Sequence, residues 1–237
     1  MRAAFLPLML LCVLPASAGA QTLFQHLGLT DPLMEGFAMS AQASKGAGAA
    51  FTDGAAAAWQ MACSTHGDDA PHFYQGVMSE AQHAKASSLG WTLRGRVKVF
   101  GSKAQEPTPF FLMYRTGTRS YQLQFGARVN GDQWVRLVTG KATGIEYTLT
   151  GSGASLHTYE LVMQPSGSSA DLYVDGTLTH HDYAGFDFSN NNGVFWGVGR
   201  SPGVGRINFG LVEFKLGVDH AATAPVSTWG SIKTRYH

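Results

Sequence analysis

The chain has 237 residues, 17 of them lysine or arginine against 16 aspartates and glutamates, and 44% of it is hydrophobic. That length suits one large all-β domain, and the apolar share is enough for a substantial core. The near-balanced charge, with no basic block, argues against nucleic acid as a partner.

Residues 1–20 read as a secretory signal peptide. Arg2 gives a short positive start, Phe5–Leu14 ("FLPLMLLCVL") is an apolar run, and Ala16, Ser17, Ala18, Gly19 and Ala20 offer small-residue cleavage sites. The run is too short to cross a bilayer. Bulky Leu11 ahead of Cys12 speaks against a lipid anchor, and no later stretch is long enough for a membrane helix. The expectation is a secreted protein, periplasmic or extracellular, with no membrane insertion. Loss of the leader leaves 16 basic and 16 acidic residues, and Cys63 alone, so no internal disulfide can form. Stability must come from core packing.

The next segment, Ala43–Ala56, is rich in Ala and Gly and has no apolar period. It reads as irregular chain before a first inner strand, "AAWQMAC". From about Phe73 the pattern has period two. In "WTLRGRVKVF", Trp91, Leu93, Val97 and Val99 share one face while Thr92, Arg94, Arg96 and Lys98 share the other. "PFFLMYR" and "SYQLQFGARV" follow, joined by the turn "TGT". Asn130-Gly131 then precedes "DQWVRLVTG", and Asp175-Gly176 separates "ADLYV" from "TLTHH". Such pairs between alternating runs predict hairpins with positive φ at both central residues. Leu172 and Val174 should face the core, with Asp171, Tyr173 and Asp175 outward. "IEYTLT", "HTYELVMQ", "GVFWGVG" and "INFGLVEFKLG" complete about ten strands. In the last, Ile207 and Phe209 are out of phase with Val212, Phe214 and Leu216, which predicts a bulge near Gly210. No convincing amphipathic helix is present. Residues 218–237 read as a tail in which "STWGSIKTRY" fits a short helix capped by Ser227. Residues 21–217 are therefore expected to form one all-β domain, a two-sheet antiparallel β-sandwich or jelly roll.

"HTYELVMQPSGSSADLYVDG" resembles the concanavalin A-like lectin/glucanase superfamily, specifically laminin-G-like jelly rolls. Those domains show a His-x-Tyr-x-Leu strand, a short turn, and an apolar strand ending Tyr-Val-Asp-Gly. "DPLMEGF", "WQM", "GWTLRGRVKV", "VFWGVGR" and "GRINFGLVEF" agree, so the likeness runs from about Asp31 to Gly217. It is similar to the lectin-like modules attached to bacterial sialidases. The resemblance implies the fold. Binding modules, hydrolases and lyases all use it, so function must be argued from a site.

Retaining glycosidases of this superfamily carry closely spaced acids on one strand. Here Glu146, Glu160 and Glu213 each stand alone on their strands, and that signature is missing. Gly199–Gly203 matches Gly-x-Ser-x-Gly, but Pro202 removes the N–H an oxyanion hole needs, so it reads as a turn. Cys63 and His66 lie three apart, yet Trp59, Met61 and Cys63 are in phase on an inner strand, which predicts an inert buried thiol. His180 and His181 point to opposite faces of a strand and do not chelate one ion. Asp187–Gly193 ("DFSNNNG") clusters hard oxygen donors of the kind calcium takes. Its spacing departs from the EF-hand, and Ser189 replaces the aromatic of the legume-lectin metal loop it faintly resembles. It reads as an Asn/Gly turn; calcium is the only cofactor it hints at, and no metal or other cofactor is assigned.

Glycan recognition needs flat apolar faces and a few fixed donors and acceptors. The candidates are Tyr114, Arg115, Arg119 and Trp134 near the hairpins, with Arg94 and Arg96 in a basic stripe that could meet an acidic polysaccharide. The stripe also fits charges that protect a sheet edge. The leading reading is a secreted, non-catalytic carbohydrate-binding or adhesion module whose partner is a glycan or polysaccharide. The alternatives are a polysaccharide-active enzyme, lyase more than hydrolase, and a structural surface protein without a small ligand. A cleft with Tyr, His and Arg would favour the lyase, an aromatic platform would favour binding, and an apolar plug would favour scaffold.

Overall fold

The structure, a computed structural model, describes residues 19–40, 48–63, 71–100, 110–140, 143–152, 155–189, 191–199, 204–219 and 233–236. Most of the expected leader, His66, Ser201 with Pro202, and Ser227 lie outside the described residues. Strands β1 (Gln21–His26), β2 (Ala38–Met39), β3 (Ala49–Asp53), β4 (Ala56–Cys63) and β5 (His72–Val77) lead to helix α1 (Glu80–Leu89). Then come β6 (Trp91–Phe100), β7 (Phe110–Arg115), β8 (Arg119–Ala127), β9 (Gln133–Val138), β10 (Gly144–Leu149) and β11 (His157–Met163). The chain continues through β12 (Ala170–Val174), β13 (Thr177–Tyr183), β14 (Phe186–Asp187), β15 (Gly193–Val198), β16 (Gly205–Leu216) and β17 (Lys233–Tyr236).

These strands form an antiparallel two-sheet sandwich of the jelly-roll kind. The first sheet runs β13-β12-β11-β6-β16-β4-β3, with β1 also on β16. The second runs β17-β10-β9-β8-β7-β15-β5-β2, with β14 on β8. Alternate residues of each strand fill the space between: Leu93 and Val97 of β6 and Phe209, Val212 and Phe214 of β16 meet Leu112, Leu123, Val135 and Trp196 of the second sheet in one buried cluster. Each such side chain contributes roughly 1.5–3 kcal/mol of burial. Leu172 and Val174 join it as predicted. Gly95 sits at an inward position because there is no room for more: a Cβ there would lie 2.7 Å from Leu112 Cδ2.

Two local predictions hold. Asp175 and Gly176 have φ of 44° and 75° between paired Val174 and Thr177. The register of β16 shifts between Phe209 and Leu211, at Gly210. That bulge is also a hand-over, since β16 pairs with β4 before it and with β1 after it.

Four expectations are corrected. At Asn130-Gly131 only Gly131 has positive φ. Asn130 Oδ1 instead accepts from Asp132 N, and the loop closes through Arg128 N donating to Asp132 O, so the turn is wider than two residues. The Ala-rich segment contains β3, because a strand outside β4 at the sheet's end needs no apolar stripe. α1 is a helix with only Ala86 buried. It starts on a capping box in which Ser79 Oγ accepts from Gln82 N and Gln82 Oε1 accepts from Ser79 N. In the tail, Lys233–Tyr236 pairs with β10 as a strand, not a helix.

Candidate functional site

Inward residues of the second sheet make the core, which leaves the alternate set on its outer face. The antiparallel register lines these residues up across strands. One row places Gln75 of β5 beside Phe195 of β15, then Met113 of β7 and Gln122 of β8. The next row sets Phe111 of β7 beside Gln124 of β8, then Arg136 of β9 and Glu146 of β10. Phe111, Met113 and Phe195 are buried against one another with Phe73 packed beside them, so the floor is apolar. Phe73 meets the Phe111 and Phe195 rings edge-on at 5.9 and 6.1 Å.

Polar groups rise from this floor. Gln75, Gln122 and Gln124 are half-buried, and their side-chain amides have no hydrogen-bond partner among the described residues. Arg115 stands two residues beyond Met113 on the same face of β7, its Cζ 3.8 Å from the Phe188 ring centre and 4.8 Å from that of Phe195. Burial pulls its pKa down to about 10. Among the described residues it makes no hydrogen bond or ion pair, and its Nε is fully enclosed.

The far end of the same face is closed. Trp134 lies flat over Gly126, where a Cβ would come within 2.2 Å of its ring, and is 1% exposed. The Arg136 and Arg128 guanidinium groups flank that ring at 5.3 and 5.7 Å. Both bond Glu146, Arg136 through Nη2 at 3.1 Å. A buried carboxylate between two arginines is a structural clamp.

The six residues proposed from the sequence do not form one surface. Arg115 stands on the platform. Its neighbour Tyr114 faces the core between Trp91 and Phe214, at 5.0 and 4.7 Å. Its hydroxyl meets His83 Nδ1 at 3.0 Å, and burial drives its pKa up. Trp134 is covered and offers no free ring. Arg119 pairs with exposed Asp187 at 3.5 Å and donates to Ala184 O. Arg94 and Arg96 belong to the first sheet. There β6 lies between β11 and β16, so the stripe protects no edge. Arg94 bonds Glu160 and Glu213, the latter at 2.8 Å, and Lys215 meets Glu213 and Asp219. Arg96 is exposed.

Sequence reasoning passed over Gln75, Gln122, Gln124 and Phe195. The alternation in "SYQLQFG" already sets Gln122 and Gln124 opposite Leu123 and Phe125, and that signal was available. The other candidates resolve simply. Cys63 is a buried core thiol. His180 and His181 diverge, to Tyr147 Oη at 2.7 Å and to Asp171 Oδ1 at 3.2 Å. Among the described residues no three His, Cys, Asp or Glu side chains converge as a metal site would require, and no helix is long and apolar enough to cross a membrane. The described outer positions of β5, β7, β8, β9, β10 and β15 carry no tyrosine or histidine.

No family model and no curated protein matches the chain. Solved structures do. A carbohydrate esterase from the Shiga toxin-encoding bacteriophage phi24B matches over 84% of this chain and 100% of its own, with a TM-score of 0.56 and 14% identity. The binding domain of botulinum neurotoxin DC, in complex with rat synaptotagmin II, matches over 84% of this chain and 49% of its own, at TM-score 0.53 and 9% identity. Botulinum neurotoxin type C gives the same TM-score, identity and coverage. The chain thus spans about half the length of the neurotoxin chains. At these identities the likeness establishes the class: an all-β two-sheet sandwich, shared with a carbohydrate esterase and with neurotoxin binding domains.

Proposed function

We propose that this chain is a secreted, non-catalytic carbohydrate-binding or adhesion module of the concanavalin A-like, laminin-G-like type, taking a glycan on the outer face of the second sheet. One observation carries the reading: Gln75, Gln122, Gln124 and Arg115 stand half-buried and without partners among the described residues, above an apolar floor of Phe111, Met113 and Phe195. A sugar's rim of hydroxyls would pair with these amides and the guanidinium, while Phe111, Met113 and Phe195, themselves buried, fix the strands that present them. Amide groups in a half-dry position gain most from such a partner. Two of the fold's neighbours deal with sugars: one is a carbohydrate esterase, and cell entry of botulinum neurotoxin type C depends on two ganglioside molecules.

The enzymatic alternative finds less support. Glu146, Glu160 and Glu213 are engaged with arginines, and the tyrosines of the platform strands, Tyr74, Tyr114 and Tyr121, point into the core, which leaves no tyrosine or histidine base on the outer face among the described residues. The leader-like start, with its apolar run and small-residue sites, supports export.

The test is a glycan array with the mature chain, followed by calorimetry on the hits and a reducing-end assay on the same polysaccharides. Binding without bond cleavage is expected. The double change Gln122→Ala with Gln124→Ala should weaken binding about tenfold or more, at roughly 1 kcal/mol per lost hydrogen bond. Release of new reducing or unsaturated ends would replace this reading with the enzymatic one.

A further inference from the structure

We infer that Arg115 reads a carboxylate on the bound glycan, which makes the platform selective for acidic sugars; the inference rests on the glycan reading above. The chain's treatment of its other arginines is the starting point. Each one that is buried or half-buried among the described residues has an acidic partner: Arg94 has Glu160 and Glu213, Arg119 has Asp187, and Arg128 and Arg136 share Glu146. Arg115 is the exception. It is half-buried, yet no carboxylate meets it among the described residues, and Asp187 in nearby β14 is turned to Arg119.

Leaving a desolvated charge without a counter-charge is unfavourable, and the fold nevertheless holds this one in place. Phe188 and Phe195 pin the guanidinium by their ring faces at 3.8 and 4.8 Å. Such contacts engage the π surface; Nε is enclosed, the two Nη groups have no partner among the described residues, and at a pKa of about 10 the group stays charged at neutral pH. A planar fork of donors, fixed in orientation and lacking an acceptor, fits a carboxylate in two-pronged fashion. Arg115 and Met113 are two apart on the same face of β7, and Gln122 pairs with Met113. The fork and the Gln122 amide are therefore near enough for one monosaccharide unit to touch both.

Isothermal titration of the full secreted chain would compare oligogalacturonate with its methyl ester, and sialyllactose with lactose. The two pairs separate uronate from sialate as the source of the carboxylate. The acid member of at least one pair should bind tenfold or more tighter than its neutral partner. Arg115→Gln should erase that preference, Arg115→Lys should keep only part of it, and Arg206→Gln, a lost charge on the opposite sheet, should leave it intact. Melting curves establish that the variants fold, and the comparison on the unaltered chain needs no variant. Equal affinity for acid and neutral members, or a preference that survives Arg115→Gln, overturns the inference while leaving the glycan reading in place. Failure of the acidic and neutral probes, and of every glycan on the array, overturns both.

Discussion

His26 is fully buried, with Nδ1 2.5 Å from Glu35 Oε2 and its ring stacked on Trp196 at 4.9 Å. Burial lowers its pKa below 6.5, offset in part by Glu35 and Asp31, and burial also lowers those of His83 and His180. In the unfolded chain these rings take up protons near 6.5, whereas in the folded chain they do so only at lower pH. The stability they confer is therefore complete above 6.5 and is lost as pH falls toward the folded values. Urea midpoints should drop between about pH 7 and about pH 5, and the drop should be shallower in His26→Gln. A midpoint that rises on acidification would contradict the assignment. At this scale the sequence was legible wherever one face meets the core, as at Leu172 and Val174. It was misleading at Trp134 and Tyr114, since period two says which residues share a face but not what covers it. Both faces of the second sheet are largely buried near these residues, one by the opposite sheet and one by side chains such as Arg136.

Among elements, those whose boundaries are written in backbone chemistry were readable. The positive-φ pair Asp175-Gly176 and the phase slip at Gly210 depend on local sequence alone. Helix α1 was not found by pattern, because it buries only Ala86 and has no apolar stripe; its Ser79-x-x-Gln82 box was the usable sign. β17 is held by pairing with β10, a partner far away in sequence, and no local preference announces it. Gly95 tests how closely β6 approaches the other sheet. Gly95→Val would drive a methyl into Leu112, 2.7 Å from where the Cβ must sit, and should destabilise the fold by about 1–3 kcal/mol in urea unfolding. An unchanged midpoint would mean that the sheets part more easily than this packing allows.

For the whole molecule, the fold followed from counting alternating runs and turn pairs, and the resemblance led to the same sandwich. The site did not follow, because each of the two sheets has an outer face and both carry arginines. On the first sheet, Arg94, Glu160, Glu213, Lys215 and Asp219 satisfy one another. On the second, Arg115 and the three glutamines make no side-chain hydrogen bond among the described residues. Only the three-dimensional pairing of charges separates the two faces, and the basic stripe of β6 lies on the one where Arg94 is paired. The most direct check is to follow backbone amide NMR shifts while titrating in the tightest glycan from the array. Shifts should gather on β7, β8 and β15 around Arg115, Gln122 and Phe195, with β6 and β11 still. Movement centred on Arg94, Arg96 and Glu160 would place the ligand on the wrong side of the sandwich for this account.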